Sequence, residues 1–329
     1  MHQFQTREAR PPPRRPTWIP PIILIGLAFG PGCRDHGSGD KPPAKESGAP
    51  DQPLNVVCTI GMITDVARNI GGEAVAVTGL MGEHVDPHTY KATPSDHRRL
   101  RNADLVFYNG LHLEGRMVEV FESLAAKQTV VAITEAIDKN SLRQPSEFAG
   151  HYDPHVWFDV ALWLKAAERI RDALIQQRPA QKELFSRNAE AYLTQLAELN
   201  DYCRTQLQSI PPPRRVLVTA HDAFGYFGRA YGLEVLAIQG ISPESEAGVK
   251  KVNELVDALI ERRIPAVFIE SSVSPRSIQA LVEGCESRGH QIKIGGELFS
   301  DAMGADGMPE GTYIGMVRHN VDTIVEALK

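Results

Sequence analysis

From residue 54 onward, short β-branched runs alternate with stretches whose apolar residues recur every three or four positions. The short runs predict strands near 55–59, 74–80, 105–108 and 130–133, then near 216–219, 234–238, 266–269 and 291–294. The longer stretches predict helices over 62–70, 95–103, 117–126 and 160–177, then over 223–231, 249–262, 275–287 and 312–328. Such alternation points to parallel α/β sheets rather than a sandwich or a bundle. Between the halves, Phe185, Ala189, Tyr192, Leu196, Leu199, Cys203 and Leu207 fall on one stripe and predict a linking helix over 181–210. Pro179 starts it and the prolines at 211–213 stop it. At 1.5 Å per residue it reaches roughly 45 Å, long enough to run along two lobes; two shorter helices with a bend satisfy the same pattern. The expected fold is α/β, with βα lobes over 54–180 and 211–329, mainly parallel sheets, and one long backbone helix between them.

The first fifty residues follow neither period. Arg7, Arg10, Arg14 and Arg15 precede an apolar run over 22–29, small residues, and Cys33, which predicts an export leader over 1–33. That run is far shorter than the roughly 20 residues of a membrane-spanning helix. Cys33 resembles the cleavage cysteine of bacterial lipoproteins, whose thiol is acylated, although Gly30 stands where such signals usually carry Leu. A stray cysteine in a soluble secreted chain is the alternative. Residues 34–53, rich in Gly, Pro, Ser, Lys and Asp, have little to bury and predict a flexible tether.

Composition narrows the partners. With 329 residues, 42% of them hydrophobic, the chain can bury two ordinary cores and is not a disordered protein. Lys and Arg total 35 against 41 Asp and Glu, a net charge of −6 without a basic block, which argues against nucleic acid. The four cysteines are too scattered for a CxxC-type metal site.

Histidines and carboxylates remain. Asp86-Pro-His88-Thr-Tyr90 and Asp153-Pro-His155-Val-Trp157 repeat one pattern, in which proline keeps the preceding Asp out of the helical region and the histidine follows stiff backbone. Both copies are expected at one rim of the first sheet, where open α/β sheets bind ligands. In the second half His221, Glu270 and Asp301 follow predicted strand ends. Two histidines from one lobe facing a histidine and a carboxylate from the other would make a closed shell for a divalent transition metal in the interlobe cleft. Other readings stand beside this one. His221 with Asp222 could cap a helix, Asp301 could cap a turn, and Glu270 could be the carboxylate ligand. His84 and His151 could supplement the site, and His112 could end a turn.

With VDPHTY (85–90), ADLVFYNGLHLE (103–114), DPHVWFDV (153–160), VLVTAHDAFGYF (216–227), FIESS (268–272) and GGELFSDAMG (295–304), the chain resembles the metal-binding lipoproteins of bacterial ABC importers for zinc and manganese, TroA type. The resemblance covers nearly all of 54–329 and implies two lobes on one long helix with metal between them. It implies His88, His155, His221 and Asp301 as ligands of one Zn²⁺ or Mn²⁺, with Glu270 supporting them. Manganese-dedicated relatives resemble one another in carrying Glu at the position of His221. The loop over 135–150 lacks the histidines of many zinc-dedicated relatives. The implied protein is not an enzyme but a monomeric, extracytoplasmic binding protein, lipid-anchored through Cys33 and serving a membrane permease with its ATPase. An exported metal-dependent hydrolase and a surface adhesin are the alternatives, and the chain contains no HExxH helix for the former.

Overall fold

The computed structural model describes residues 52–148, 150–243 and 248–329; the expected leader, Cys33 and residues 34–51 of the expected tether lie outside them. In the first lobe, β1 (Leu54–Cys58), β2 (Val75–Gly79), β3 (Leu105–Tyr108) and β4 (Thr129–Ala132) form one parallel sheet in the order β2-β1-β3-β4. The central strands are almost wholly buried, as parallel strands beneath crossover helices are. Those helices are α1 (Gly61–Gly71), α2 (Pro94–Asn102), α3 (Val118–Ala125) and, after a longer loop, α4 (Val160–Gln177). Because all four strands point the same way, the loops leaving β2 and β4 emerge at one carboxyl edge, and each carries an Asp-Pro-His sequence.

A 3-10 turn (Pro179–Gln181) leads into α5 (Lys182–Gln208), which is 27 residues without interruption, or about 40 Å. The bent-pair alternative therefore fails. Its buried face is the stripe read from the sequence, Phe185 to Leu207. That face packs on α1 and α4 of the first lobe and on α6 (Gly225–Tyr231) and α9 (Tyr313–Leu328) of the second. One contact pins the joint: the buried Asp65 of α1 accepts from Tyr192 Oη of α5 at 2.8 Å and from the Tyr313 N–H of α9 at 3.2 Å. Burial raises the Asp65 carboxyl above its ordinary range, and these hydrogen bonds oppose the rise.

The second lobe pairs β5 (Val216–Thr219) with β6 (Glu234–Ala237) and β7 (Ala266–Glu270) with β8 (Lys293–Leu298), both in parallel, with β5 beside β7. Helices α7 (Val249–Arg262) and α8 (Arg276–Ser287) complete it. One expectation needs correction. The last strand does not stop at 294 but runs through Gly295 and Gly296 to Leu298. The reason is a bulge opposite Val267 and Phe268, where Gly296 takes φ 149° and a Cβ on Gly295 would lie 2.8 Å from the Phe268 ring. Glycine here lets a strand pass an aromatic ring rather than opening a loop. Among the described residues no helix is long and apolar enough to cross a membrane.

Candidate metal centre

The two Asp-Pro-His sequences fold alike at first. Each Asp accepts the backbone N–H of its own histidine, Asp86 from His88 at 2.8 Å and Asp153 from His155 at 3.0 Å, closing a tight turn that proline has pre-set. After His155 a 3-10 turn (Val156–Phe158) runs into α4, whose N-cap Asp159 accepts from Ala161 and Leu162. In the second lobe the parallel ends of β5 and β7 set the remaining groups. Glu270 Oε1 accepts the His221 N–H at 2.9 Å, and Glu270 Oε2 lies 2.6 Å from His221 Nδ1. Asp301 follows β8 by a short loop, clamped where the buried Asn320 of α9 exchanges two hydrogen bonds with Phe299 at 2.9 and 2.7 Å.

These turns bring His88, His155, His221 and Asp301 together, all buried, with one ligand atom from each within 4.8 Å of the others. Asp301 lies 3.4 Å from His155 Nε2, 3.2 Å from His221 Nε2 and 3.6 Å from His88 Nε2, and the Nε2 atoms of His88 and His155 are 3.2 Å apart. A tetrahedral shell with bonds of ~2.1 Å separates its ligands by about 3.4 Å, so the spacing suits one ion. Both Asp301 oxygens and His221 Nε2 are buried without a well-directed hydrogen bond among the described residues. A buried carboxylate whose oxygens lack directed hydrogen bonds is costly unless a cation fills the point they face. A separate cavity of about 270 Å³, lined by Gly61, Arg68, Met81, Met303 and Asp306 among others, contains none of the four residues. The cluster is ion-sized.

Two carboxylates stand behind the imidazoles. Asp153 Oδ1 is 2.8 Å from His155 Nδ1, as Glu270 is close to His221 Nδ1, so in both rings Nε2 is left to face the centre. Burial drives His88 down to about 3, with Asp301 opposing and the other imidazoles assisting. Burial also disfavours charge on His155, but Asp301 and Asp153 outweigh it and raise that ring to about 9. In His221 the same burial is outweighed by Glu270 and then Asp301, which lift it well above its ordinary value. Burial opposes the charge on Asp301 too, yet His221 and His155 hold it well below the usual carboxylate range.

The other candidates fall elsewhere. Glu270 faces the far nitrogen of His221, not the centre. His221 caps no helix, since α6 begins at Gly225 without a side-chain cap. His84 is exposed and its Nδ1 lies 2.9 Å from the Ser271 carbonyl of the second lobe. His151 packs edge-on against His112, ring centroids 4.2 Å apart, away from the cluster. Sequence reasoning missed Asn320, the side-chain role of Asp153, and Arg143, whose guanidinium pairs with Asp153. Only the first two residues of the pentapeptide gave any signal of the Asp153 role.

Known proteins resemble this chain in sequence and fold. The family described as ZnuA, zinc-uptake complex component A, periplasmic, matches residues 56–327. The zinc-binding protein TroA of Treponema pallidum (strain Nichols) is 50% identical over 307 residues, 93% of this chain and 96% of that protein. The manganese-binding lipoprotein MntA of Bacillus subtilis (strain 168) is 49% identical over 279 residues, 85% of this chain and 91% of that protein. A solved structure of the periplasmic TroA from Treponema pallidum superimposes with a TM-score of 0.82 at 50% identity, covering 84% of this chain and 99% of that one.

Proposed function

The chain belongs to the zinc-uptake complex component A family, and we propose that it captures Zn²⁺ or Mn²⁺ outside the cytoplasm and delivers it to an ABC permease with its ATPase. The ion is held by His88, His155, His221 and Asp301, one per chain, while Asp153 and Glu270 orient the imidazoles. The observation that carries this reading is the buried cluster itself: ligand atoms from both lobes within 4.8 Å, with the Asp301 oxygens unsatisfied. Four protein ligands close a tetrahedral shell and leave no open position for an activated water, which speaks against the hydrolase. Acylation at Cys33 would tether the binding lobes to the membrane.

Metal choice follows from donor type. Affinity for nitrogen-rich sites rises from Mn²⁺ to Zn²⁺, so three imidazoles and one carboxylate favour Zn²⁺ at equilibrium. The rigid α5 keeps the lobes nearly fixed, and release proceeds through loop rearrangement or a slight lobe tilt.

The test is competitive binding of Zn²⁺ and Mn²⁺ to protein purified without added metal, with His221→Glu in parallel. One ion per chain, a preference for Zn²⁺, and a narrower gap in His221→Glu are expected. Absence of stoichiometric binding by the unaltered chain would sink the proposal.

A further inference from the structure

Arg143 belongs to no regular element. It lies in the first lobe between the 3-10 turns Lys139–Ser141 and Ser146–Phe148. Its guanidinium pairs through Nη1 with Asp153, the carboxylate behind His155, and holds Nη2 3.8 Å from Asp222 of the second lobe, the residue after His221. One cation thus stands between two carboxylates, one in contact with His155 and the other on the residue that follows His221. Room for it is made at the start of α6, where any Cβ on Gly225 would overlap the guanidinium.

The backbone of this segment is held as well. The Arg143 N–H donates to Tyr226 Oη at 3.0 Å, and Tyr226 donates to the Asp153 carbonyl at 2.9 Å. Arg229, also on α6, donates to the Ser141 carbonyl at 2.8 Å. The first turns of α6 are therefore bound to a first-lobe segment beside the metal centre.

We infer that Arg143 is a positioning residue that clasps the two lobes across the metal centre, holding His155 and His221 at ligating separation and slowing release of the ion. This rests on the binding role proposed above. Its sign distinguishes it from a plain charge effect. A cation near a divalent ion repels it, so by Coulomb's law alone removal of Arg143 tightens binding. A clasp predicts the reverse, because Asp153 loses its partner and His155 its fixed orientation. Arginine suits the task, since its planar fork can address two carboxylates where the lysine ammonium is a point charge.

The experiment is stopped-flow release of Zn²⁺ from the full chain into a chromogenic chelator, with binding stoichiometry measured alongside. Arg143→Ala should speed release roughly 10–100-fold, the range for outer-shell partners of metal ligands, while association changes much less. Arg143→Lys should fall between it and the unaltered chain. Unchanged or slower release in Arg143→Ala overturns the clasp. Should that variant fail to fold, Arg143→Lys decides: a clasp speeds release, whereas a release rate equal to that of the unaltered chain overturns it. Asp222→Asn should add nothing once Arg143 is gone, and additive effects would overturn the two-lobe linkage. An unaltered chain that fails to bind one Zn²⁺ overturns the binding role and the clasp together; normal binding with unaltered variant kinetics overturns the clasp alone.

Discussion

The two Asp-Pro-His sequences solve one local problem identically and then diverge. In both, the carboxylate accepts the N–H two residues on. In the second copy Asp153 also reaches His155 Nδ1, and Trp157, wholly buried, donates from Nε1 to the Ser300 carbonyl at 3.1 Å across the lobes. In the first copy Asp86 turns its other oxygen to Thr89 Oγ1 at 2.8 Å, and Tyr90 turns to Asp96 of α2 at 2.7 Å. A short motif fixes backbone, while long-range partners fix the ring. In the proposed site His155 is the anchored ligand and His88, 7% exposed, is the ligand at the rim.

The largest break in that comparison comes from the ligands themselves. Structural zinc sites supply about 10–16 kcal/mol over four ligands, so one ligand is worth about 3 kcal/mol, on the order of 100-fold in affinity. Replacing His155 with Ala should cost at least that much by calorimetric titration. His88→Ala should cost roughly tenfold less, because water can complete the shell from the rim. A larger loss from His88→Ala would reverse the roles of the two copies.

Protons separate the copies next. With His88 lowered to about 3 and His155 raised to about 9, the first is neutral at pH 7 while the second carries a proton, as does His221. Metal must displace these protons, so affinity should fall as pH drops below about 9, by about tenfold per unit for each proton displaced. Calorimetry in buffers of different ionisation heat should count two protons released, and a count of zero would break the assignment. The sign for the metal-free fold is opposite. A raised histidine value stabilises the fold fully below the unfolded histidine range, and this contribution is lost as pH rises through about 9.

The carboxylates give a smaller split. Asp153→Asn should weaken metal binding roughly 10–100-fold, because a neutral amide replaces the carboxylate that holds His155 Nδ1 and turns its NH₂ toward the Arg143 guanidinium. Asp86→Asn keeps an oxygen for the His88 N–H and touches no ring nitrogen, so its affinity should stay close to that of the unaltered chain. Equal losses would mean that the turn, rather than the ring contact, sets affinity.

What could be read from the sequence follows the same division between local and distant. Strand and helix alternation, the α5 stripe and the repeated Asp-Pro-His are periodic or contiguous, and each appears where the pattern placed it. His221 and Asp301 had only strand-end positions and a family resemblance to single them out. Arg143 and Asn320 had no signal at all, since their partners lie 10 and 21 residues away, and Trp157 stood out in the repeat while its partner, 143 residues away, did not. The last strand was cut short for a related reason. Two adjacent glycines read as loop unless the aromatic ring they pass is known, and Phe268 belongs to another strand.

The smallest expected difference tests the aromatic residues that end each copy. Trp157→Phe keeps an aromatic ring in the buried position and removes only the Nε1 donor, leaving the Ser300 carbonyl, beside Asp301, without that partner. An unpaired buried acceptor costs about 1–3 kcal/mol, readable in urea unfolding of the metal-free protein. Tyr90→Phe removes a hydroxyl from a half-buried ring, and Asp96 keeps the Thr93 N–H at 2.8 Å and Thr93 Oγ1 at 2.6 Å. Its cost should stay near ~0.5 kcal/mol, the low end for a hydrogen bond whose acceptor stays satisfied. Metal affinity should follow the same order, because Trp157 joins the loop of His155 to the loop of Asp301 while Tyr90 joins only neighbours within the first lobe. If Tyr90→Phe costs as much as Trp157→Phe in both stability and affinity, the cross-lobe tether is not what makes the second copy the firmer one, and burial alone must account for it.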